Sequence, residues 1–327
     1  MAHHKHRQLS LSPLPAAMLL IAALLTGCGG GGDGGSNERA PTSSNIPANP
    51  PVQEPGAPTL TGNTALDGYN WLNYRRAQVG LSVLARNSQV DTAALGHSNY
   101  MRLNNTVTHE QTVGAPGFTG VNLTNRLAAA GYGLPGGYAI GEVISATTDT
   151  SGFYQVEELI TAIYHRFVMF EPVFKEVGTG ATTVPNGYTY FTADLTASNG
   201  LGAGIGAGRL VNYPINNQTN VPINFFTDTE SPDPVPNQNE VGYPISVHAD
   251  SGRGAVVVVR SFTITPRGGS ALNTLLLSSA TDSRTTASAA AIIPLAPLRR
   301  GTVYDVSFDG TVGGVAAPRT WSFTTRP

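Results

Sequence analysis

One cysteine stands in 327 residues, Cys28, and that limits how such a chain can be held together. No disulfide can close within it, so each ordered region must rest on an apolar core of its own. The 299 residues beyond Cys28 exceed one typical domain, and two are expected. Over that stretch acidic residues outnumber basic ones by 21 to 17. The basic footprint of a nucleic-acid-binding surface is missing, so no nucleic-acid partner is expected.

What precedes Cys28 explains its position. Lys5 and Arg7 lie among His3, His4 and His6, and an apolar run follows from Leu14 to Leu25, the layout of a secretory signal over residues 1–27. The run is too short to cross a bilayer as a permanent helix. It ends in Leu25-Thr26-Gly27-Cys28, which resembles the lipobox of bacterial lipoproteins. That resemblance implies removal of the signal and acylation of Cys28, which would tie the mature chain to a lipid membrane. Gly29 stands where aspartate is the usual inner-membrane retention signal, so the outer membrane or the cell surface is the expected address.

Residues 28–60 mix Gly, Ser and Pro with almost no large apolar side chains, and they are expected to form a flexible linker. Order begins near Thr61. Thr64 can cap a helix that Gly80 stops. Further helical patterns run over 88–103, 119–130 and 156–169, the last with an apolar stripe of Val156, Leu159, Ile160, Ile163 and Phe167. Strands are expected over 140–146, 176–182 and 188–196, so residues 61–200 read as an α+β domain. Alternating glycines over 200–208 and prolines between Pro214 and Pro236 suggest a linker over 201–234. Six short strand candidates with no helix between them favour a β-sandwich over 235–327.

Few residues carry chemistry. His109 lies in the polar stretch Asn104-Asn105-Thr106-Val107-Thr108-His109-Glu110-Gln111, past a helix end, where no apolar stripe explains it. It does not open a zincin motif, because Val113 occupies the place of the second histidine. Glu142 ends Gly137-Tyr138-Ala139-Ile140-Gly141-Glu142 in a strand of small and apolar residues, so it faces solvent or is held by a partner. Glu158 precedes His165 by seven residues, two turns of the expected helix, and both project from one side of it. His97 sits on the apolar face of its helix and reads as a packed core histidine. Spacing leaves open whether the four polar groups converge. No G-x-S-x-G elbow is present, and no thiol nucleophile remains once Cys28 is acylated. The glycine ladder lacks a P-loop lysine and fails G-x-G-x-x-G, so it reads as a loop or weak strand.

In order along the chain, Leu72-Asn73-Tyr74-Arg75-Arg76, Ala93-Ala94-Leu95-Gly96-His97-Ser98-Asn99-Tyr100-Met101, Thr108-His109, Arg126-Leu127-Ala128-Ala129-Ala130-Gly131-Tyr132, Gly141-Glu142, His165-Arg166 and Phe174-Lys175-Glu176-Val177-Gly178-Thr179-Gly180 follow one another. This series resembles the bacterial branch of the CAP superfamily, the SCP-like extracellular domains. The resemblance implies an α-β-α sandwich and a cleft with two histidines and acidic residues that binds divalent metal in several members. By motif position His109, Glu142 and His165 correspond to that cluster, with Glu158 proposed as its fourth member and zinc as the first candidate ion. The sequence departs from the family's pattern at Val143, at Ile163-Tyr164 and at Phe167-Val168-Met169-Phe170, which are bulkier than usual and would reshape the cleft. Ile292-Ile293-Pro294, Pro297 to Tyr304 and Trp321-Ser322-Phe323-Thr324-Thr325 resemble bacterial immunoglobulin-like domains, with spacing or adhesion as the implied role.

Three functions follow as expectations. The first is a surface-displayed binding module for a lipid, sterol or envelope component. The second is a metal-assisted hydrolase with Glu142 or Glu158 as general base. The third is a structural or adhesive envelope protein whose polar cluster braces the fold. No catalytic residue is assigned.

Overall fold

The computed structural model describes residues 54–185 and 187–327. The expected signal, the lipidation site Cys28 and the linker as far as residue 53 lie outside the described residues.

The N-terminal unit runs α1 (Thr64–Val79), β1 (Ala85–Arg86), α2 (Ser88–Asn104), α3 (Leu123–Ala129), β2 (Ala139–Thr147), α4 (Gly152–Thr161), α5 (Ile163–Met169), β3 (Glu176–Thr183) and β4 (Thr189–Ala197). The strands form one sheet in the order β1-β3-β4-β2. Local chemistry sets the helix ends. Asn63 caps α1 by accepting from the Leu66 N–H, and Gly80 closes it in the left-handed region at φ 88°. The cap is Asn63, one residue before Thr64. Asn122 accepts from the Asn125 N–H, so α3 starts there and is shorter than the pattern over 119–130.

Helices cover both faces of the sheet. Along β2, Ile140 and Ile144 pack toward α2 and α3, whereas Val143 packs with Val156, Leu159 and Val168 of α4 and α5. This is the two-residue alternation of a strand read into opposite layers. On β3 two glycines let α2 approach closely. A Cβ on Gly178 would stand 2.1 Å from the Val90 carbonyl carbon, and one on Gly180 would stand 2.2 Å from the Leu95 nitrogen.

The helix expected over 156–169 is two helices. The chain breaks at Ala162, whose ψ of 118° is extended. A carboxylate from elsewhere in the chain, Glu230, accepts from the Ile163 and Tyr164 N–H groups at 2.8 and 2.6 Å and starts α5 anew.

The segment 201–234 is not a plain linker. It contains β5 (Val211–Tyr213), β6 (Gln218–Val221) and β7 (Asn224–Phe226), and the chain continues through β8 (Glu240–Gly242), β9 (Ile245–His248), β10 (Val257–Pro266), β11 (Thr274–Ser278), β12 (Ala289–Pro294), β13 (Val303–Val312), β14 (Val315–Ala316) and β15 (Arg319–Thr325). Two sheets result, β10-β13-β15-β6 and β11-β12-β9-β5, with β14 joined to β13 and a separate β7-β8 pair. Each large sheet therefore takes one strand from the expected linker. Tyr304, Val306, Phe308 and Val312 alternate inward along β13 and share a core with Ile245, Val247 and Ile292. The glycine ladder is a loop around Asp250: the Ile205 and Gly206 N–H groups donate to its two carboxylate oxygens at 2.7 and 2.8 Å, and a Cβ on Gly204 would lie 2.5 Å from them.

The two units share apolar cores. Ile163, Tyr164 and Phe167 of α5 cluster with Phe225, Val241, Leu277 and Ile293. The bulky departures of α5 thus meet the C-terminal sheets. The end of the expected linker is docked as well, with Glu54 accepting from Arg75 Nη1 at 2.6 Å and from the Tyr74 hydroxyl at 3.0 Å.

Replacing Gly178 by Ala forces α2 away from β3. The expected destabilisation is about 3 kcal/mol, read as a lowered urea midpoint with an unchanged slope; an unchanged midpoint would contradict the close approach.

Candidate functional site

The reversal after α2 begins at Asn105, which adopts the left-handed region at φ 49°, and returns the chain over β2. His109 then meets Glu142: its Nδ1 lies 2.9 Å from Oε1. The other carboxylate oxygen accepts from Arg126 Nη2 at 2.5 Å, and Arg126 Nη1 donates to the His109 carbonyl at 2.9 Å. Arg126 is fully withdrawn from water whereas the His109 side chain keeps 22 % of its exposure. Burial by itself raises the Glu142 pKa, but Arg126, His109 and His97 together hold it well below the ordinary carboxylate range.

Opposite Glu142 on β4 stands Asp194, fully buried. Neither of its oxygens receives a hydrogen bond from a nitrogen donor among the described residues. Burial and the neighbouring Glu142 charge push its pKa well up.

His97 lies beneath this pair and is completely buried. Its Nε2 donates to the Thr108 carbonyl at 2.7 Å, and its Nδ1 accepts from the Gln111 amide at 2.9 Å. Both ring nitrogens are used, and burial lowers its pKa to about 4. It is a neutral structural histidine that pins the loop carrying His109.

The remaining two candidates lie in a different layer. Ser145 follows Glu142 by three residues on β2 and points to the α4 side. Its hydroxyl lies 2.5 Å from Gln155 Oε1 and also contacts Glu158 Oε2. A hydroxyl has one proton and cannot donate to both. The Gln155 amide nitrogen is already committed to Thr147 and the Asp149 carbonyl. The chain is satisfied when a protonated Glu158 donates to Ser145, which donates to Gln155. Burial pushes the Glu158 pKa up to about 7, consistent with that order.

His165, on α5, is within electrostatic reach of Glu158, but its ring Nδ1 lies 3.1 Å from Glu230 Oε1. The break at Ala162 therefore replaces the single-helix relation expected between Glu158 and His165. His109 and Glu142 come together; His165 joins Glu230; Glu158 joins Ser145. Among the described residues no group of three or more His, Cys, Asp or Glu is placed to hold a metal ion. As four ligands of one ion the set does not fit, because Glu142 and the Ser145–Glu158 pair take opposite faces of β2.

Three members were not assigned from sequence. Arg126 was visible only inside a motif. Asp194 carried a signal, the one charged residue in a strand of apolar residues and threonines. Glu230 carried none.

Residues 69–195 match CAP, the cysteine-rich secretory protein family. A CAP domain occupies that part of the chain. Among solved structures, an extracellular protein containing an SCP domain from Bacillus anthracis is 23 % identical over 40 % of this chain and 39 % of its own, with a TM-score of 0.35. An outer surface protein from Borrelia burgdorferi is 11 % identical over 40 % of this chain and 90 % of its own, TM-score 0.33. A cysteine-rich secretory protein from Staphylococcus aureus is 16 % identical over 42 % and 40 %, TM-score 0.30. This chain thus spans 39 % of the length of the Bacillus protein. No curated protein matches.

Glu158 supplies a test of the site's electrostatics. Its folded pKa is raised from 4.5 to about 7, so between those values the native state holds a proton that the unfolded state has released. Stability from this group is full at low pH and falls as pH rises through that window. Glu158→Gln keeps a donor toward Ser145 without the titration. The variant is expected to lose stability less steeply than the native protein between pH 5 and 8 in urea melts, and equal slopes would contradict a protonated Glu158.

Proposed function

We propose that the protein is an exported lipoprotein, anchored through Cys28, that displays a CAP-domain binding module for a lipid, sterol or other envelope component. The observation that carries the reading is the set of His109. Its Nδ1 is held by a buried carboxylate that Arg126 fixes in turn, so the ring, which keeps 22 % of its exposure, is oriented before any ligand arrives. Pre-orientation of this kind cuts the entropy lost on binding.

A divalent ion, zinc first, would be taken by the imidazole Nε2 of His109 or of His165, each ring backed by its own outer-shell carboxylate, Glu142 or Glu230. The ion would supply charge to hold an anionic or carbonyl group of the ligand. Glu142 is engaged by Arg126 and His109, which leaves it poorly placed as a general base toward a bound water.

The C-terminal unit is read as an immunoglobulin-like sandwich, and the outer membrane or cell surface as the destination. Their support is the strand motifs from Ile292 to Thr325 and the residue after Cys28.

Two measurements test this reading. Zinc titration followed by calorimetry should give binding that His109→Ala weakens about tenfold or more; a native protein that takes up no zinc refutes the metal part. In a host with two membranes, Cys28→Ser should move the protein from the membrane pellet to the soluble exported fraction, and native protein found only in the inner membrane refutes the address.

A further inference from the structure

We infer that Glu230, which lies outside the CAP domain, is the positioning residue that fixes His165 as an Nε2 donor, so that the C-terminal segment supplies the carboxylate behind that ring. The inference rests on the reading of His165 as a ligand-facing residue given above.

Glu230 is removed from water, and its carboxylate is aimed at one point, the start of α5. Oε2 accepts from the Ile163 N–H at 2.8 Å. Oε1 accepts from the Tyr164 N–H at 2.6 Å, the His165 N–H at 3.2 Å and the His165 ring Nδ1 at 3.1 Å. A carboxylate that already takes three backbone protons can only accept from the ring. His165 Nδ1 must therefore carry its hydrogen, and in the neutral ring the lone pair falls on Nε2. The His165 side chain retains 17 % of its exposure while Glu230 retains none. The dyad thus presents an open imidazole backed by a closed carboxylate, the arrangement in which outer-shell acids orient metal-ligating histidines.

The backing is supplied across the boundary between units. Glu230 ends a short turn, Thr227–Thr229, that follows β7. The turn is anchored by the Thr227 N–H to Asn239 carbonyl bond at 2.8 Å and by the neighbouring Phe225 side chain, which packs in the same cluster as Ile163, Tyr164 and Phe167. The CAP match ends at residue 195, so a fragment cut there keeps His165 and loses the group that sets its tautomer. His109 has its equivalent carboxylate, Glu142, inside the match. The two histidines are built alike from different sources.

The test reads the tautomer of His165 directly, by long-range proton–nitrogen spectra of the full chain with its imidazole signals assigned through His165→Asn. The native protein is expected to show a protonated Nδ1 and a bare Nε2. Glu230→Ala should relax the ring toward the Nε2–H form and weaken zinc binding about 10- to 100-fold, whereas Glu230→Gln, which keeps an acceptor, should hold the tautomer and recover most of the affinity. A role limited to capping α5 would lower the melting temperature of Glu230→Ala and leave the tautomer alone. An Nε2–H tautomer in the native protein, or an unchanged one in Glu230→Ala, overturns the inference. The native measurement stands even if Glu230→Ala fails to fold. The expected tautomer with no zinc uptake supports the Glu230 assignment and sinks the metal reading alone.

Discussion

The fold turns on two guanidinium groups withdrawn from water, one inside the N-terminal unit and one where the units meet. Arg166, on α5, donates through Nε to the Ile160 carbonyl at 2.5 Å and through Nη1 to the Pro244 carbonyl at 2.7 Å. Its planar head lies about 5 Å from the ring centres of Tyr213 and Tyr243. Arg76, on α1, donates to the carbonyls of Met169 and Glu171 at 2.6 and 3.1 Å, and burial lowers its pKa to about 10. Burying such a cation is costly unless fixed acceptors replace its water. Here the acceptors are backbone carbonyls, which cannot reorient, so the positions of α1, α5 and the residues before β9 are set together. Separating the units would break the bond from Arg166 to the Pro244 carbonyl and strip cover from Phe167, Phe170 and His248, whose rings pack edge to face.

Much of the N-terminal unit was legible because it is local. Helix ends at Gly80 and Asn105 follow from left-handed backbone that few residues adopt, and strand alternation located β2, β3 and β4 to within a residue or two. The errors share one cause, a partner distant in sequence. Nothing near Ala162 announces a helix break, because the capping carboxylate comes from 67 residues beyond Ile163. The glycines and prolines of 201–234 read as a linker by composition, yet Gly204 is small because the Asp250 carboxylate occupies the space of its side chain, and β6 is a strand only because β15 lies beside it. The bulky residues of α5 read as a reshaped cleft; they are the contact surface for the second unit.

The candidate site was half legible for the same reason. His109 and Glu142 looked out of place in their own segments, and they do meet. The alternation of β2 was also readable, and it separates Glu142 from the Ser145–Glu158 pair. The missing knowledge was which residue of α4 sits under which residue of β2, a matter of packing between elements that no periodicity supplies.

That separation gives the edge strand two electrostatic faces. On one, Glu142 is buried beside a cation and two imidazoles that hold its pKa down, while burial and the Glu142 charge push that of Asp194 up. On the other, Glu158 is buried beside a hydroxyl and an amide and stays protonated up to about pH 7. Carboxyls on neighbouring elements thus take opposite states from their surroundings alone. A charge introduced on the Glu142 side meets fixed countercharges, while one introduced on the Glu158 side can be met only by loss of a proton or by His165. Because His165 is held in turn by Glu230, the response of that second face is governed by a residue the CAP domain does not contain.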